Sequence, residues 1–125
     1  MNRPKKCISV EEARGLQNNW KNSRGKEILR GQGYEDTREF SFSVEELQEY
    51  LDYVKEKSRE QGIENPGIRI YFAAYPKNGP KKSYSTVFLA PTKDVAALET
   101  EGESGNNYEI EPLNTVNGGR PPTEY

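Results

Sequence analysis

The sequence predicts one α+β domain, and three observations lead to this fold class: two helix start signals, two β-rich runs joined by a Gly/Pro-rich connection, and a clustering of apolar residues. Leu, Ile, Val and Phe make up 23 of 125 residues, and most of them lie between Phe40 and Ala90. We therefore expect a flexible N-terminus at 1–9 and a packed domain at 10–91.

The first predicted helix covers 10–24. Ser9 and Glu12 form a capping box, in which the serine oxygen and the glutamate carboxylate bond each other's backbone N–H groups. Apolar residues then recur at helical spacing up to Trp20, which places them on one stripe. The helix ends near Gly25, or it restarts and continues to the glycines that follow Leu29.

A short strand at 38–42 and the main helix at 44–61 follow. Phe40 and Phe42 alternate with polar residues, which is typical of a half-buried strand. Ser43 and Glu46 repeat the capping signal, and Gly62 supplies a residue that commonly closes a helix. The stripe predicted to face the sheet is Val44, Leu47, Leu51 and Val54.

Two alternating runs, 68–75 and 84–90, predict an antiparallel hairpin, because the chain between them is broken by Pro76, Gly79 and Pro80. Its contribution to the core is predicted to come from one set of apolar side chains that meets the main helix: Ile68, Ile70, Phe72, Val87 and Leu89.

The last third of the chain is poorer in apolar residues. Residues 92–107 are acidic and contain small residues, which predicts a mobile linker. Residues 108–111 alternate and predict a possible edge strand, and the region 108–125 otherwise reads as a C-terminal tail.

Several kinds of site are excluded by composition. The chain has no histidine and one cysteine, Cys7, which removes histidine-dependent triads, imidazole zinc sites and an internal disulfide. No cofactor or metal is expected, and any enzyme here would have to use carboxylate, Lys or Tyr chemistry. No apolar run has the length of a membrane helix, so the sequence predicts a soluble cytoplasmic protein without a membrane partner.

The hairpin carries the candidate binding residues. On one face of its first strand lie Arg69, Tyr71 and Tyr75. The remaining candidates are the basic residues of the connection and the tyrosine after it: Lys77, Lys81, Lys82 and Tyr84.

Three functions fit this surface. The best match is a non-enzymatic interaction or adaptor module that binds another protein or a second copy of itself through the aromatic and basic face. The alternative is nucleic-acid binding, since aromatics beside lysines can stack on bases and neutralise phosphates. The third is a small enzyme. Tyrosine pairs also stabilise sheets with no ligand, and the net charge of −2 does not favour nucleic acid.

Three segments together, FSFSVEELQEYLDYVKEKS, NPGIRIYFAAYPKN and YSTVFLAPT, resemble a group of small uncharacterised bacterial proteins with the same order of helix, strand and strand. The resemblance covers about the middle half of the chain and extends weakly into NTVNGGRPP. It implies a bacterial cytosolic origin, and it implies no activity, cofactor or residue role.

Overall fold

One antiparallel sheet contains the strands β1 (Gly67–Ala74), β2 (Ser85–Thr92) and β3 (Leu113–Asn114), in that spatial order. The structure is a computed structural model and describes residues 1–94, 105–115, 118–120 and 122–125. The first two strands form the predicted hairpin, in a register that pairs Tyr71 with Phe88. The α+β class is confirmed.

The helices extend further than predicted at the N-terminus. Helix α1 (Val10–Trp20) continues through a π-helical segment (Lys21–Gly25) into α2 (Lys26–Gln32), which is the longer of the two endings that the sequence allowed. Helix α3 (Val44–Glu60) is the predicted main helix. Gly33 follows α2 with a φ of 82°, the left-handed conformation that ends a helix.

The chain divides into two compact units. The first contains Met1–Glu39 and Gly119–Tyr125, and the second contains Phe40–Gly118. The sheet and α3 belong to the second unit, which also contains the hairpin residues with candidate roles.

In the first unit, the C-terminal residues are tied to the helical segments by ion pairs. Glu124 bonds Lys21 at 2.6 Å and Arg38 at 3.0 Å, and Arg38 also pairs with Glu35 at 3.0 Å. The Nε atom of Arg14 donates a hydrogen bond to the backbone oxygen of Tyr125 at 3.1 Å. Nothing in the local composition of the last residues indicated these long-range contacts.

Both ends of α3 follow the signals in its sequence. The Ser43 side chain accepts a hydrogen bond from the backbone N–H of Glu46 at 2.9 Å. At the other end Gly62 has a φ of 76°, and the N–H of Ile63 reaches back to the carbonyl of Ser58 at 2.8 Å. This reaching-back bond is the Schellman closure, which satisfies a carbonyl that the helix leaves unpaired.

The core of the second unit lies between α3 and one face of the sheet. Its buried members are Tyr50, Val54, Leu89 and Ile110, and the half-buried residues against them are Phe42, Leu47, Tyr53, Ile68 and Leu113. The sequence pattern did not include Tyr50. Its hydroxyl donates its one proton to the carbonyl of Glu111 at 2.9 Å, with the carbonyl of Leu89 as a second, longer acceptor at 3.3 Å, so its polar end is satisfied inside the core.

Three predicted core residues are exposed, and for these the prediction was wrong. Val44 is 85% exposed, Ile70 65% and Phe72 88%. Ile70 pairs with Leu89 and so shares its face, yet Leu89 is buried. The helix therefore covers β2 and β3 and leaves most of β1 uncovered on that same face.

Two predicted strands are replaced by other local structure. Residues 38–42 contain only a single bridge, between Phe40 and Gly118. Residues 108–111 turn instead of extending, because the Asn107 side chain accepts a hydrogen bond from the N–H of Glu109 at 3.2 Å. Such a local side-chain bond competes with strand pairing, and the third strand forms two residues later, at Leu113.

Most of the predicted acidic linker, residues 95–104 of 92–107, lies outside the described residues. At its two described ends, Thr92 forms a bridge with Asn106, and the N–H of Asn107 donates to the carbonyl of Pro91 at 2.9 Å. Among the helices that the structure describes, none is both long and apolar enough to span a lipid bilayer.

Candidate interaction surface

The hairpin has two distinct faces, which the register defines. The helix-side face carries Ile68, Ile70, Phe72, Val87, Leu89 and Pro91, and the aromatic face carries Arg69, Tyr71, Tyr75, Tyr84, Thr86 and Phe88. This separation is the one that strand alternation predicts. All the residues proposed from the sequence to bind a partner lie on the aromatic face or in the hairpin connection.

The polar ends of the aromatic face bond within the chain. Arg69 donates to the Asn106 side-chain oxygen at 2.9 Å, and the Asn106 side-chain nitrogen donates to the Tyr71 hydroxyl at 2.8 Å. The Tyr71 ring stacks on Phe88 at 5.2 Å. The bond from Asn106, and next the one from Arg69, lowers the pKa of Tyr71, because both donate to the phenolic oxygen.

The outer part of this face is also engaged. The Tyr75 hydroxyl donates to the carbonyl of Thr115 at 3.2 Å. The backbone N–H of Tyr75 donates to the carbonyl of Tyr84 at 3.0 Å. Lys77, Lys81 and Lys82 are exposed around the hairpin turn, where Asn78 and Lys81 form a bridge. The structure thus places the three lysines around the hairpin turn, whereas Arg69 and the tyrosines lie along the strands and at their ends.

A recess of about 350 Å³ lies beside Tyr71 and Phe88 of the aromatic face. Tyr71, Phe88, Asn106 and Tyr108 line it, and Tyr108 is well exposed. Tyr108 and Asn106 were absent from the predicted site, because their approach to the hairpin depends on how the chain returns along β2.

The outer edge of β1 is the second feature of the hairpin. In an antiparallel pair, hydrogen-bonded and non-hydrogen-bonded positions alternate. The bond from the Tyr75 N–H to the Tyr84 carbonyl shows which positions of β1 face β2, and Pro91, which has no N–H, lies opposite Ile68 at a non-hydrogen-bonded position. Ile68, Ile70, Phe72 and Ala74 therefore direct their backbone N–H and C=O groups away from the sheet.

No described residue forms a backbone hydrogen bond with that side of β1. The strand lies at the end of the sheet order, and the isolated bridges of the described chain involve other residues. Ile70 and Phe72, the two large exposed apolar side chains of the strand, stand beside these outward backbone groups. Together they form the β1 edge surface, defined by Ile68, Ile70, Phe72 and Ala74.

A groove of about 690 Å³ adjoins the β1 edge surface. It lies between the second half of α3 and the start of β1, and its apolar lining comes from Leu51, Val54, Ile63 and Ile68. Lys55, Arg59 and Glu64 lie at its margin. Leu51, which the sequence assigned to the buried stripe, is half-buried and lines this groove.

A separate hollow, lined by α3 and Leu113, is acidic. Its carboxylates are Glu45, Glu46, Glu49, Asp52 and Glu56, with Tyr50 and Tyr53 beside them. Within the described part of the chain, no group of three or more His, Cys, Asp or Glu side chains is arranged to hold a metal ion.

Comparison with protein-family models, with curated proteins and with solved structures finds no match to this chain. The resemblance to small bacterial proteins stays a prediction from the sequence.

Proposed function

We propose that this protein is a non-enzymatic protein-interaction module, and that its binding surface is the β1 edge surface. An extended segment of the partner adds to the sheet as a further strand, with main-chain hydrogen bonds to β1 and apolar contacts to the side chains beside them. One observation carries the proposal: Phe72 is 88% exposed on a strand whose outward backbone groups form no backbone hydrogen bond with a described residue.

Edge strands of soluble proteins are usually protected by charge, by proline within the strand, or by a covering element. Between its ends β1 has a single charged residue, Arg69, whose side chain lies on the aromatic face. Ile70 and Phe72 are left uncovered, and burying Phe72 against a partner contributes about 1.5–3 kcal/mol. This arrangement favours a recognition edge over a protected one.

The aromatic face supports the proposal less well as a contact surface. Arg69, Tyr71 and Asn106 already satisfy one another, so a ligand that used their polar groups would have to replace these bonds. The network holds β1 against the returning chain instead, which keeps the edge strand extended and ready for pairing.

The test is selection of peptides from a displayed library of random decapeptides on the immobilised protein. We expect the selected peptides to alternate apolar and polar residues. Phe72→Lys and Ile70→Pro should each weaken their binding at least tenfold, because the first removes the apolar contact and the second removes an outward N–H without removing a bond to β2.

Val44→Lys is the matched control, since Val44 is equally exposed but lies on α3. It should leave peptide binding unchanged. Peptides that bind Phe72→Lys and Ile70→Pro as tightly as the parent, and that lose binding to Tyr71→Ala, would overturn the proposal and assign binding to the aromatic face.

A further inference from the structure

We infer that a second copy of this chain binds the β1 edge surface, with two β1 strands pairing antiparallel across a two-fold axis at Tyr71. The inference rests on the proposed function, because it names the partner of the same edge. It follows from which residues present outward groups, from the prolines that flank the strand, and from the placement of charge.

The outward groups restrict how two β1 edges can meet. Ile68, Ile70, Phe72 and Ala74 present N–H and C=O groups, so these residues must face one another across the new pair. With the axis at Tyr71, Ile70 faces the partner's Phe72, and Ile68 faces the partner's Ala74. Every outward residue of β1 then has an outward residue opposite it.

The neighbouring registers form fewer hydrogen bonds, because prolines flank the strand on both sides. Moving the axis to Ile70 places Ala74 opposite the partner's Pro66, and moving it to Phe72 places Ile68 opposite the partner's Pro76. Proline has no N–H to donate, so either shift loses hydrogen bonds. The two prolines thus specify a single register for self-pairing.

The side chains agree with this register. On the helix-side face, the exposed Ile70 packs against the partner's Phe72, and the same contact repeats across the axis. On the aromatic face, Arg69 faces the partner's Ala73, so like charges do not meet. The basic tip of one hairpin, with Lys77, approaches the end of the other strand, where Glu64 lies.

The apolar area available at the edge indicates which class of interface self-pairing would form. Phe72 exposes 88% of its surface, on the order of 150–200 Å² per chain. Two copies of Phe72 supply only part of the roughly 1,200–2,000 Å² that stable interfaces bury. An interface of this limited size is typical of weak association, so we expect a reversible dimer.

Sedimentation equilibrium from about 1 to 500 μM tests self-association of the full chain, whose monomer mass is 14.3 kDa. The mass should rise toward that of a dimer. Phe72→Lys and Ile70→Pro should each raise the dissociation constant at least tenfold with an unchanged circular dichroism spectrum, while Val44→Lys should not.

The register is tested by oxidation in a Cys7→Ser background. At the non-hydrogen-bonded position on the axis, Cα atoms lie about 4.5 Å apart, within disulfide range, so Tyr71→Cys should cross-link to itself. Ile70→Cys and Phe72→Cys, each displaced from its own copy, should not. Because Tyr71 bonds Asn106, a second test uses residues outside that network: Ile70→Cys protein mixed with Phe72→Cys protein should cross-link, because these positions face each other about 5.5 Å apart.

The outcomes separate the two proposals. A chain that stays monomeric at 500 μM, or one that dimerises with the cross-links of another register, overturns self-pairing. If such a monomer still binds selected peptides in a way that Phe72→Lys abolishes, the interaction function stands and only the identity of the partner is wrong. If neither association depends on Phe72, both are wrong.

Discussion

Replacing Tyr50 with Phe removes a buried hydroxyl that links α3 to the backbone carbonyls of Leu89 and Glu111. Tyr50 is 8% exposed, and its hydroxyl donates to Glu111 and Leu89. A typical internal hydrogen bond contributes about 1 kcal/mol net, so at pH 7 the variant should be less stable by about that amount.

The same hydroxyl makes the stability difference between the parent and Tyr50→Phe depend on pH. Burial, and next the negative charges of Tyr53 and Glu111, raises the pKa of Tyr50 from its ordinary value of 10 to about 12. Between these values the unfolded chain releases a proton that the folded chain retains. The parent therefore loses stability as the pH rises, by about 1.4 kcal/mol at pH 11, and the variant does not lose this contribution.

The two effects should cancel near pH 11, where the parent and Tyr50→Phe become about equally stable. Urea unfolding followed by circular dichroism at pH 7, 9, 10 and 11 measures both free energies. Tyr125→Phe, in the other unit, controls for the loss of an exposed tyrosine and should stay within about 0.5 kcal/mol of the parent. A stability difference that stays constant from pH 7 to 11 would refute the buried hydroxyl.

Three further predictions concern other parts of the chain. Val54→Ala should destabilise the second unit by about 2 kcal/mol in urea unfolding, whereas Val44→Ala on the same helix should change stability by less than about 0.5 kcal/mol. Ser43→Ala removes the cap of α3 and should cost about 1 kcal/mol, with a matching loss of helical signal. Hydrogen bonding to Lys21 lowers the pKa of Glu124. The ion pair's contribution to folding stability is therefore present above pH 4.5 and is lost as the pH falls through the lowered pKa. Lys21→Gln should raise the pKa of Glu124 in an NMR titration, and an unchanged pKa would contradict the ion pair.

Local signals predicted the elements well where the cause of the structure is local. The serine caps of α1 and α3, the glycine that closes α3 and the alternation along the hairpin all act within a few residues. The prediction of a strand at 108–111 was wrong, and the reason is also local. The Asn107 side chain bonds the N–H of Glu109 and forms a turn, which the alternation of apolar and polar residues does not reveal.

The candidate site was predicted only in part. The sequence placed Arg69, Tyr71 and Tyr75 on one face of the strand, which strand geometry requires. The sequence could not show that Asn106 bonds Arg69 and Tyr71, because Asn106 lies 35 residues after Tyr71 and approaches it only in the folded chain. Nor could it identify Phe72 as exposed, since alternation assigns a residue to a face without showing whether anything covers that face.

The sequence by itself determined that this chain builds capped helices and an antiparallel hairpin with one apolar and one aromatic face, because periodicity and capping are properties of neighbouring residues. Only the tertiary structure decided that α3 lies over Leu89 and Leu113, that Ile110 and Tyr50 complete the core, and that β1 is left at the edge. Which side of a strand is buried depends on where a distant helix packs. The exposed Ile70 and Phe72 are therefore a consequence of the assembled fold.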